Sequence, residues 1–146
     1  GLREYQAPVE YGRSEIIRKG KKIAVLGVGS MIPSCVEICK GLKDDGYDPT
    51  FVNARFVKPL DVDLLDELAK DHSLFVTVEE NVKSGGYGEH VSAYMEACHP
   101  EIRVLSAAVW DRFVPQGNVE SLRSRIGLGV EDIRQAIEDS EELREQ

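Results

Sequence analysis

Two adjacent glutamates and a glycine-rich segment are the part of the sequence best suited to chemistry. Residues 79–81 (Glu-Glu-Asn) follow an apolar run at 73–78, and residues 84–88 (Ser-Gly-Gly-Tyr-Gly) come shortly afterwards. Because consecutive side chains of a strand point to opposite faces, Glu79 and Glu80 are not expected to act as an acid–base pair. We expect one of them to cap the N–H groups of the glycine-rich segment and the other to face a partner.

The glycine-rich segment itself has two interpretations. Val91, Tyr94 and Met95 predict a helix directly after it, and backbone N–H groups at a helix start can bind a phosphate. The segment lacks the Gly-Lys-Ser/Thr ending of a P-loop, since Lys83 precedes it. Glycines also allow positive φ angles and close backbone approach. A structural purpose is therefore favoured, and a phosphate site remains the alternative.

No other motif completes a catalytic constellation. The Gly27-Val28-Gly29 turn would need glycine at position 32, where Ile stands, so the dinucleotide fingerprint is incomplete. Cys35 and Cys39 share a helix face without further metal-ligand spacing, which indicates buried free thiols rather than zinc. The sequence also lacks a Gly-x-Ser-x-Gly nucleophile turn. We therefore predict no catalytic, cofactor-binding or metal-binding residues in this chain.

An aromatic cluster follows the last predicted strand. Trp110 and Phe113 stand with Asp111 and Val114 directly before Pro115. Large aromatic side chains beside a fixed turn can fill a core or anchor an interface. The sequence supports both interpretations equally.

The elements that must position these residues alternate along the chain. Apolar runs at 23–28, 50–54, 73–78 and 102–106 predict strands, and segments of helical periodicity separate them. Such alternation is typical of parallel strands with right-handed crossovers. We predict an α/β fold, a three-layer α/β/α sandwich with a mostly parallel sheet. An acidic C-terminal helix with Val130, Ile133 and Ile137 facing inward closes it.

Composition limits the classes of partner. The chain has 146 residues and a formal net charge of −8, which argues against nucleic acid and anionic membranes. It has no apolar run near the ~18 residues of a membrane span. Three cysteines form no paired framework and suit reduced thiols. These features predict a soluble, cytoplasmic protein.

The beginning of the chain is unusual. The first residue is Gly rather than Met, and a polar stretch follows it. This start is typical of a piece cut from a longer protein. We predict that residues 1–20 are a linker from preceding domains and that residues 21–146 form one domain.

Three segments, taken in order, resemble one family. Residues 53–61 (Asn-Ala-Arg-Phe-Val-Lys-Pro-Leu-Asp) are similar to a strand-turn-helix motif of the transketolase C-terminal domain. Residues 76–81 followed by 85–88 resemble that domain's Thr-Val-Glu-Glu-Asn and Gly-Gly-x-Gly segment. Residues 111–117 (Asp-Arg-Phe-Val-Pro-Gln-Gly) resemble the closing segment of the 1-deoxy-D-xylulose-5-phosphate synthases within the family.

The resemblance implies the third domain of a thiamine-diphosphate enzyme. These synthases condense pyruvate with glyceraldehyde 3-phosphate, releasing carbon dioxide, and their product feeds isoprenoid, thiamine and pyridoxal synthesis. In the family the cofactor and its Mg²⁺ are held by a Gly-Asp-Gly…Asn motif in the first domain. The activating Glu comes from the second domain. The implied partners are therefore the missing N-terminal domains of the same chain and a second subunit in a homodimer. The fragment is expected to hold no cofactor and to be inactive alone.

One departure keeps alternatives open. Residues 107–110 (Ala-Ala-Val-Trp) stand where the synthases usually have Gly-Leu-Pro. The C-terminal half of a split transketolase and a pyruvate dehydrogenase β-type subunit carry the same domain. A freestanding regulatory ligand-binding α/β domain is the alternative from another class.

The resemblance and the residue chemistry together select candidate interface or family-motif residues. The segment between Val78 and Gly88 is the first choice for a dimer contact, with Trp110 and Phe113 second. The full set is Arg55, Lys58, Pro59, Asp61, Glu79, Glu80, Asn81, Gly85, Gly86, Tyr87, Gly88, Trp110, Asp111 and Phe113.

Overall fold

The computed structural model describes residues 13–55, 60–80, 86–109 and 130–145. Its strands are β1 (Glu15–Arg18), β2 (Lys22–Gly27), β3 (Thr50–Asn53), β4 (His72–Glu80) and β5 (Arg103–Val109). Its helices are α1 (Ile32–Asp44), α2 (Val62–Ala69), α3 (Tyr87–Cys98) and α4 (Val130–Glu145), and a 3-10 turn at Gly29–Met31 precedes α1.

The strands form one mixed sheet in the order β1-β3-β2-β4-β5. Strands β3, β2, β4 and β5 are parallel to one another, whereas the edge strand β1 pairs antiparallel with β3. Helices cover both faces, so the predicted three-layer α/β/α sandwich with a mostly parallel sheet is confirmed.

Two apolar cores lie on either side of the sheet. In β2, Ile23 and Val25 belong to the core beneath α1 and α4, while Ala24 and Leu26 belong to the core beneath α2 and α3. All four side chains are at most 1% exposed. This double burial explains why β2 is apolar throughout rather than alternating.

The four predicted strands are confirmed with small shifts of their ends, but a fifth strand corrects the domain boundary. We assigned residues 1–20 to a linker, yet Glu15–Arg18 form β1 and pair with β3. The domain therefore begins before Glu15. The strand is short, and its two adjacent isoleucines break the period-2 pattern by which a half-buried strand is recognised.

Helix α1 ends at a glycine turn and buries one face against the sheet. Gly46 adopts φ +98° just after the helix, a left-handed conformation that favours glycine. The helical spacing of Ile32, Val36, Cys39 and Leu42 predicts an apolar stripe, but the Val36 side chain is 49% exposed. Cys39 and Leu42 are buried as expected, and Cys35 and Ile38 join them, so these four residues form the face toward the sheet.

Helix α4 packs against α1. Ile133 and Ile137 enter the core as predicted, and Val130 packs against it. The absence of a side chain at Gly41 makes room for Arg134, since a Cβ there would lie 2.4 Å from Arg134 Cδ. In the described part of the chain, no helix has the length and apolar character needed to span a membrane.

Candidate functional site

The candidate site lies at the carboxyl edge of the parallel strands. There β2 ends at Gly27, β3 at Asn53, β4 at Glu80 and β5 at Val109. The candidate residues that the structure describes follow or end these strands. In open α/β sheets this edge is where ligands and functional loops lie.

Glu79 caps helix α3 with both carboxylate oxygens. The backbone N–H of Tyr87 donates to Oε1 at 2.8 Å, and that of Gly88 donates to Oε2 at 2.7 Å. The glutamate is only 7% exposed. A carboxylate is favourable here because the first N–H groups of a helix have no intrahelical acceptor and carry partial positive charge. The prediction that one of the two glutamates caps these N–H groups is confirmed for Glu79.

This cap bears on the alternative of a phosphate site. An anion at the start of α3 would need the N–H groups of Tyr87 and Gly88, which already donate to Glu79. It would also meet the negative charge of the carboxylate at close range. The geometry therefore favours the structural interpretation of the glycine-rich segment.

Gly88 is required by close approach rather than by its backbone angles. A Cβ at this position would lie 2.7 Å from both Glu79 Oε2 and Thr77 Oγ1, and 3.0 Å from Ser106 Oγ. Gly86, by contrast, has φ −80° and ψ 177°, an extended conformation open to any residue. Gly88 thus lets the start of α3 lie directly on strands β4 and β5.

Tyr87 lies in the segment between Val78 and Gly88, which is the first choice for a dimer contact. Its side chain is only 3% exposed and belongs to the core beneath α2 and α3. Burial raises the pKa of its hydroxyl, and the negative charges of Asp61 and Glu79 add to the effect. The first turn of α3 points inward, because Tyr87, Gly88 and Val91 all lie on the face toward the sheet. Tyr87 therefore stabilises the domain instead of offering a surface.

Asp61 joins the start of α2 to the chain that enters β1. Asp61 follows Pro59 in the sequence and is there the expected N-cap of the next helix. This is confirmed, because its Oδ1 accepts from the N–H of Leu64 at 3.2 Å. Its Oδ2 accepts from the N–H of Ser14 at 2.8 Å. The Arg13 guanidinium lies 3.2 Å from Asp61 and from Asp63, and these charges raise the pKa of Arg13.

Arg55 makes a second link to β1. Its guanidinium forms an ion pair with Glu15, across the β1–β3 pair. Arg55 and Asp61 thus each hold the first described residues of the chain, Arg55 through Glu15 and Asp61 through Arg13 and Ser14. The sequence signal for this link, two opposite charges far apart in the chain, is too weak to recognise.

The other candidates lie outside the described residues. The backbone of Glu80 ends β4, but its side chain is outside the description. Its suggested contact with a partner stays a prediction. The remaining candidates lie wholly outside the described residues, so their assignments also stay predictions: Lys58, Pro59, Asn81, Gly85, Trp110, Asp111 and Phe113.

Two polar atoms near this edge escaped the sequence analysis. Among the described residues, Thr77 Oγ1 and His90 Nε2 are buried side-chain atoms without a hydrogen-bond partner. Thr77 is fully buried beneath Gly88. The sequence does not reveal this unpartnered hydroxyl, because threonine is common in strands. It becomes visible only when α3 lies on β4 in the folded domain.

The two helical cysteines behave as predicted. Cys35 and Cys39 are buried in α1, and burial raises the pKa of their thiols to about 12 and about 11. A raised thiol pKa suppresses the reactive thiolate. These residues are packing side chains, whereas Cys98 at the end of α3 is exposed.

Comparison with known proteins decides the family. The model of the family described as transketolase, C-terminal domain, matches residues 12–133, which is most of the chain. The chain belongs to the transketolase C-terminal domain family. In this chain the domain has a five-stranded mixed sheet, and Glu79 near the end of β4 caps α3.

Curated relatives of this transketolase C-terminal domain are named 1-deoxy-D-xylulose-5-phosphate synthase. The protein from Lachnoclostridium phytofermentans is 40% identical over 134 residues, which is 91% of this chain and 21% of the relative. The protein from Dictyoglomus thermophilum is 39% identical over 94% of this chain and 22% of the relative. The chain therefore spans about a fifth of the length of these relatives.

Solved structures agree on the fold of this transketolase C-terminal domain. A split-gene transketolase, solved as a tetramer that its description calls inactive beta4, is 30% identical to this chain and has a TM-score of 0.74. The match covers 91% of this chain and 42% of that chain. A transketolase from Campylobacter jejuni is 17% identical with a TM-score of 0.58. The second likeness supports the fold alone.

Proposed function

We propose that this chain is the C-terminal domain of a thiamine-diphosphate-dependent 1-deoxy-D-xylulose-5-phosphate synthase. The whole enzyme would be a cytoplasmic transferase that condenses pyruvate with glyceraldehyde 3-phosphate and releases carbon dioxide. The observation that carries this proposal is the identity of 40% with a synthase over 91% of this chain. A share of only 21% of that relative supports a domain of a larger enzyme.

Within that enzyme the domain would be architectural and would contribute to a homodimer. The strongest polar feature at the carboxyl edge, the Glu79 carboxylate, is engaged by the backbone of α3. A group held in this way serves the fold, and its oxygens are not directed at a substrate. The proposed role is to hold the connections at this edge against the preceding domains and the second subunit.

The described residues do not fit a thiamine diphosphate site. The nearest string to the family's diphosphate motif is Asp44-Asp45-Gly46, at the end of α1. Asp45 forms an ion pair with Arg134, and Gly46 makes the turn that ends the helix. We therefore assign cofactor and Mg²⁺ binding to the preceding domains and derive no catalytic step for this chain.

A second candidate is the C-terminal part of a split transketolase. It is favoured by the 30% identity with a split-gene transketolase, of which this chain covers 42%. Such a chain would work with a separate partner chain and would transfer a two-carbon unit without releasing carbon dioxide. A freestanding regulatory domain is disfavoured by the carboxylate at the start of α3.

The protein encoded by the whole reading frame distinguishes these candidates. For the synthase, we expect 1-deoxy-D-xylulose 5-phosphate and carbon dioxide from pyruvate and glyceraldehyde 3-phosphate, with thiamine diphosphate and Mg²⁺ present. Two-carbon transfer from a ketose phosphate, with no carbon dioxide released, would favour the split transketolase. A reading frame that starts within a few residues of Gly1 would contradict the single-chain synthase.

The 146-residue chain provides an independent test. Isothermal titration with thiamine diphosphate and Mg²⁺ should show no saturable heat, because the residues at 44–46 are committed to the helix end. Binding at micromolar affinity would contradict the assignment of the cofactor to other domains.

A further inference from the structure

The outer edge of β1 is an apolar surface that the described residues leave uncovered. Ile16 and Ile17 are 39% and 47% exposed. The strand lies at the end of the sheet order and pairs only with β3 among the described residues. Unpaired edge strands favour pairing with another chain, and proteins usually protect them with charges or a covering segment.

The pairing of β1 is irregular at the two isoleucines. Ile16 pairs with Val52 and Arg18 pairs with Phe51, so Ile17 is an extra residue without a partner in β3. Such a bulge interrupts the ladder and bends the strand locally. An element that covers both isoleucines must therefore reach this irregular edge of β1.

The path of the chain selects the occupant. Since β1 is antiparallel to β3, Glu15 pairs with Asn53 and the chain enters the domain at the carboxyl edge. The entry is fixed by the Ser14 N–H, which donates to Asp61 at 2.8 Å, and by the Arg13–Asp61 ion pair at 3.2 Å. Whatever precedes residue 13 in the whole protein thus starts within a few residues of Ile16.

We propose that the domain preceding this one in the same polypeptide packs along the edge of β1 and covers Ile16 and Ile17. The inference rests on the proposed function, because it needs the longer chain that the share of 21% of the synthase relative suggests. The twelve residues before Arg13 would act as a tether that places the neighbour at an effective concentration on the order of 1 mM. A separate molecule in the micromolar range cannot compete with it.

A second copy of the same chain is the competing occupant. Strand β1 has only four residues, so a pair of β1 strands would bury far less than the roughly 1,000 Å² expected of a specific interface. A tethered neighbour needs no such area, because its association is intramolecular.

The experiment compares two substitutions of equally exposed apolar residues in proteins of two lengths. Ile17→Lys places a charge at the proposed contact, and Val36→Lys is the matched control, since Val36 is 49% exposed on α1. Both are made in the 146-residue chain and in the protein encoded by the whole reading frame. Thermal unfolding is followed in each, with hydrogen exchange of the β1 amides as a second readout.

We expect Ile17→Lys to leave the melting temperature of the 146-residue chain within about 2 °C of wild type, because an exposed site tolerates lysine. In the longer protein it should lower the transition of this domain by several degrees, whereas Val36→Lys should not. The β1 amides should exchange at least about tenfold more slowly in the longer protein. Ile16→Thr, a milder change at the neighbouring exposed position, should reproduce the difference between the two lengths.

Equal effects of Ile17→Lys in both lengths, or unchanged exchange of the β1 amides, would overturn the inference. A concentration-dependent dimer of the 146-residue chain that Ile17→Lys abolishes, and Val36→Lys does not, would overturn it in favour of a second copy. Activity separates the two proposals. An active synthase without the Ile17 effect contradicts only the contact, and the Ile17 effect without synthase activity contradicts only the proposed function.

Discussion

The start of α3 packs closely on β4 at three residues, Glu79, Thr77 and Gly88. The two side chains on β4 leave no room for a side chain at position 88. Glu79 and Thr77 lie on the same face of β4, and both would contact a Cβ at position 88. Glycine at 88 lets the N–H groups of α3 approach the carboxylate to 2.7–2.8 Å. Glu79 can therefore cap α3 only because position 88 is a glycine, which has no Cβ.

Replacing Glu79 tests the cap directly. Glu79→Gln keeps one acceptor oxygen but turns an amide NH₂ toward the second N–H group, so one buried donor loses its partner. We expect the free energy of unfolding to fall by about 1–3 kcal/mol, measured by urea denaturation. Glu96→Gln, an exposed change on the same helix, should stay within about 0.5 kcal/mol of wild type. Equal effects of the two substitutions would contradict the assignment of the cap.

The unpartnered hydroxyl of Thr77 gives a prediction of the opposite sign. Thr77→Val removes a buried hydroxyl that has no hydrogen-bond partner and keeps the side-chain shape. We expect the free energy of unfolding to stay the same or to rise by up to about 1 kcal/mol. Chemical denaturation of the purified variant measures it.

Thr50→Val is the matched control for Thr77→Val. Thr50 is equally buried, but its Oγ1 accepts from the N–H of Gly20 at 2.8 Å and lies 2.7 Å from His72 Nε2. We expect this substitution to destabilise by about 1–3 kcal/mol. A destabilisation of the same size at Thr77 would mean that its hydroxyl has a partner in solution.

At the scale of the elements, the packing of α4 on α1 depends on one arginine. The Arg134 guanidinium lies 2.8 Å from Glu138 and forms ion pairs with Asp45 and Glu131. Burial raises the pKa of Glu138, and a hydrogen bond with Asp45 raises it further, while Arg134 lowers it. The positive charge of Arg134 therefore offsets the repulsion between the carboxylates of Asp45 and Glu138.

Arg134→Met should make the stability of the domain depend more strongly on pH. Without the arginine the pKa of Glu138 rises further above its unfolded value, so the folded state binds the proton more tightly. A raised carboxyl pKa means that stability increases as the pH falls through the folded value and decreases above it. We expect the loss of stability relative to wild type to be larger at pH 7 than at pH 5.

Urea denaturation midpoints at the two pH values measure this effect. Lys40→Met, an exposed change on α1, is the control and should show no such difference. A loss from Arg134→Met that is independent of pH would indicate that only the packing of its aliphatic part matters.

At the scale of the whole molecule, the thiols report opening of the fold. The chain has three cysteines, of which Cys98 is exposed while Cys35 and Cys39 lie in the core. Cys98 should react rapidly with a thiol reagent such as 5,5′-dithiobis(2-nitrobenzoate). The other two should react at least roughly 100-fold more slowly, because the fold must open first.

The Cys98→Ser variant isolates the slow reaction. In this variant the remaining thiols should react only at the rate of opening, and urea should accelerate them in step with unfolding. Fast labelling of Cys35 or Cys39 in the folded protein would contradict the closed core between α1 and the sheet.

The amino-acid sequence by itself determined the central strands, the layer order and the N-cap of α2. Residues such as Ile23 to Leu26 and the sequence from Asp61 to Leu65 carry local signals, because strand burial and helix capping depend on neighbours a few positions away. The alternation of strands and helices then leaves few topologies, since crossovers are right-handed. The family resemblance also lies in contiguous segments and could be recognised before any coordinates.

Only the tertiary structure decided where the polar groups of the site find partners. Tyr87 is buried rather than exposed, and Glu79 rather than Glu80 caps α3, because the direction of each side chain depends on how α3 lies across β4 and β5. Strand β1 was missed since its antiparallel pairing with β3, and the ion pair of Glu15 with Arg55, join residues about forty positions apart. Contacts at such separation leave no local pattern in one sequence, because they form only when the chain has folded.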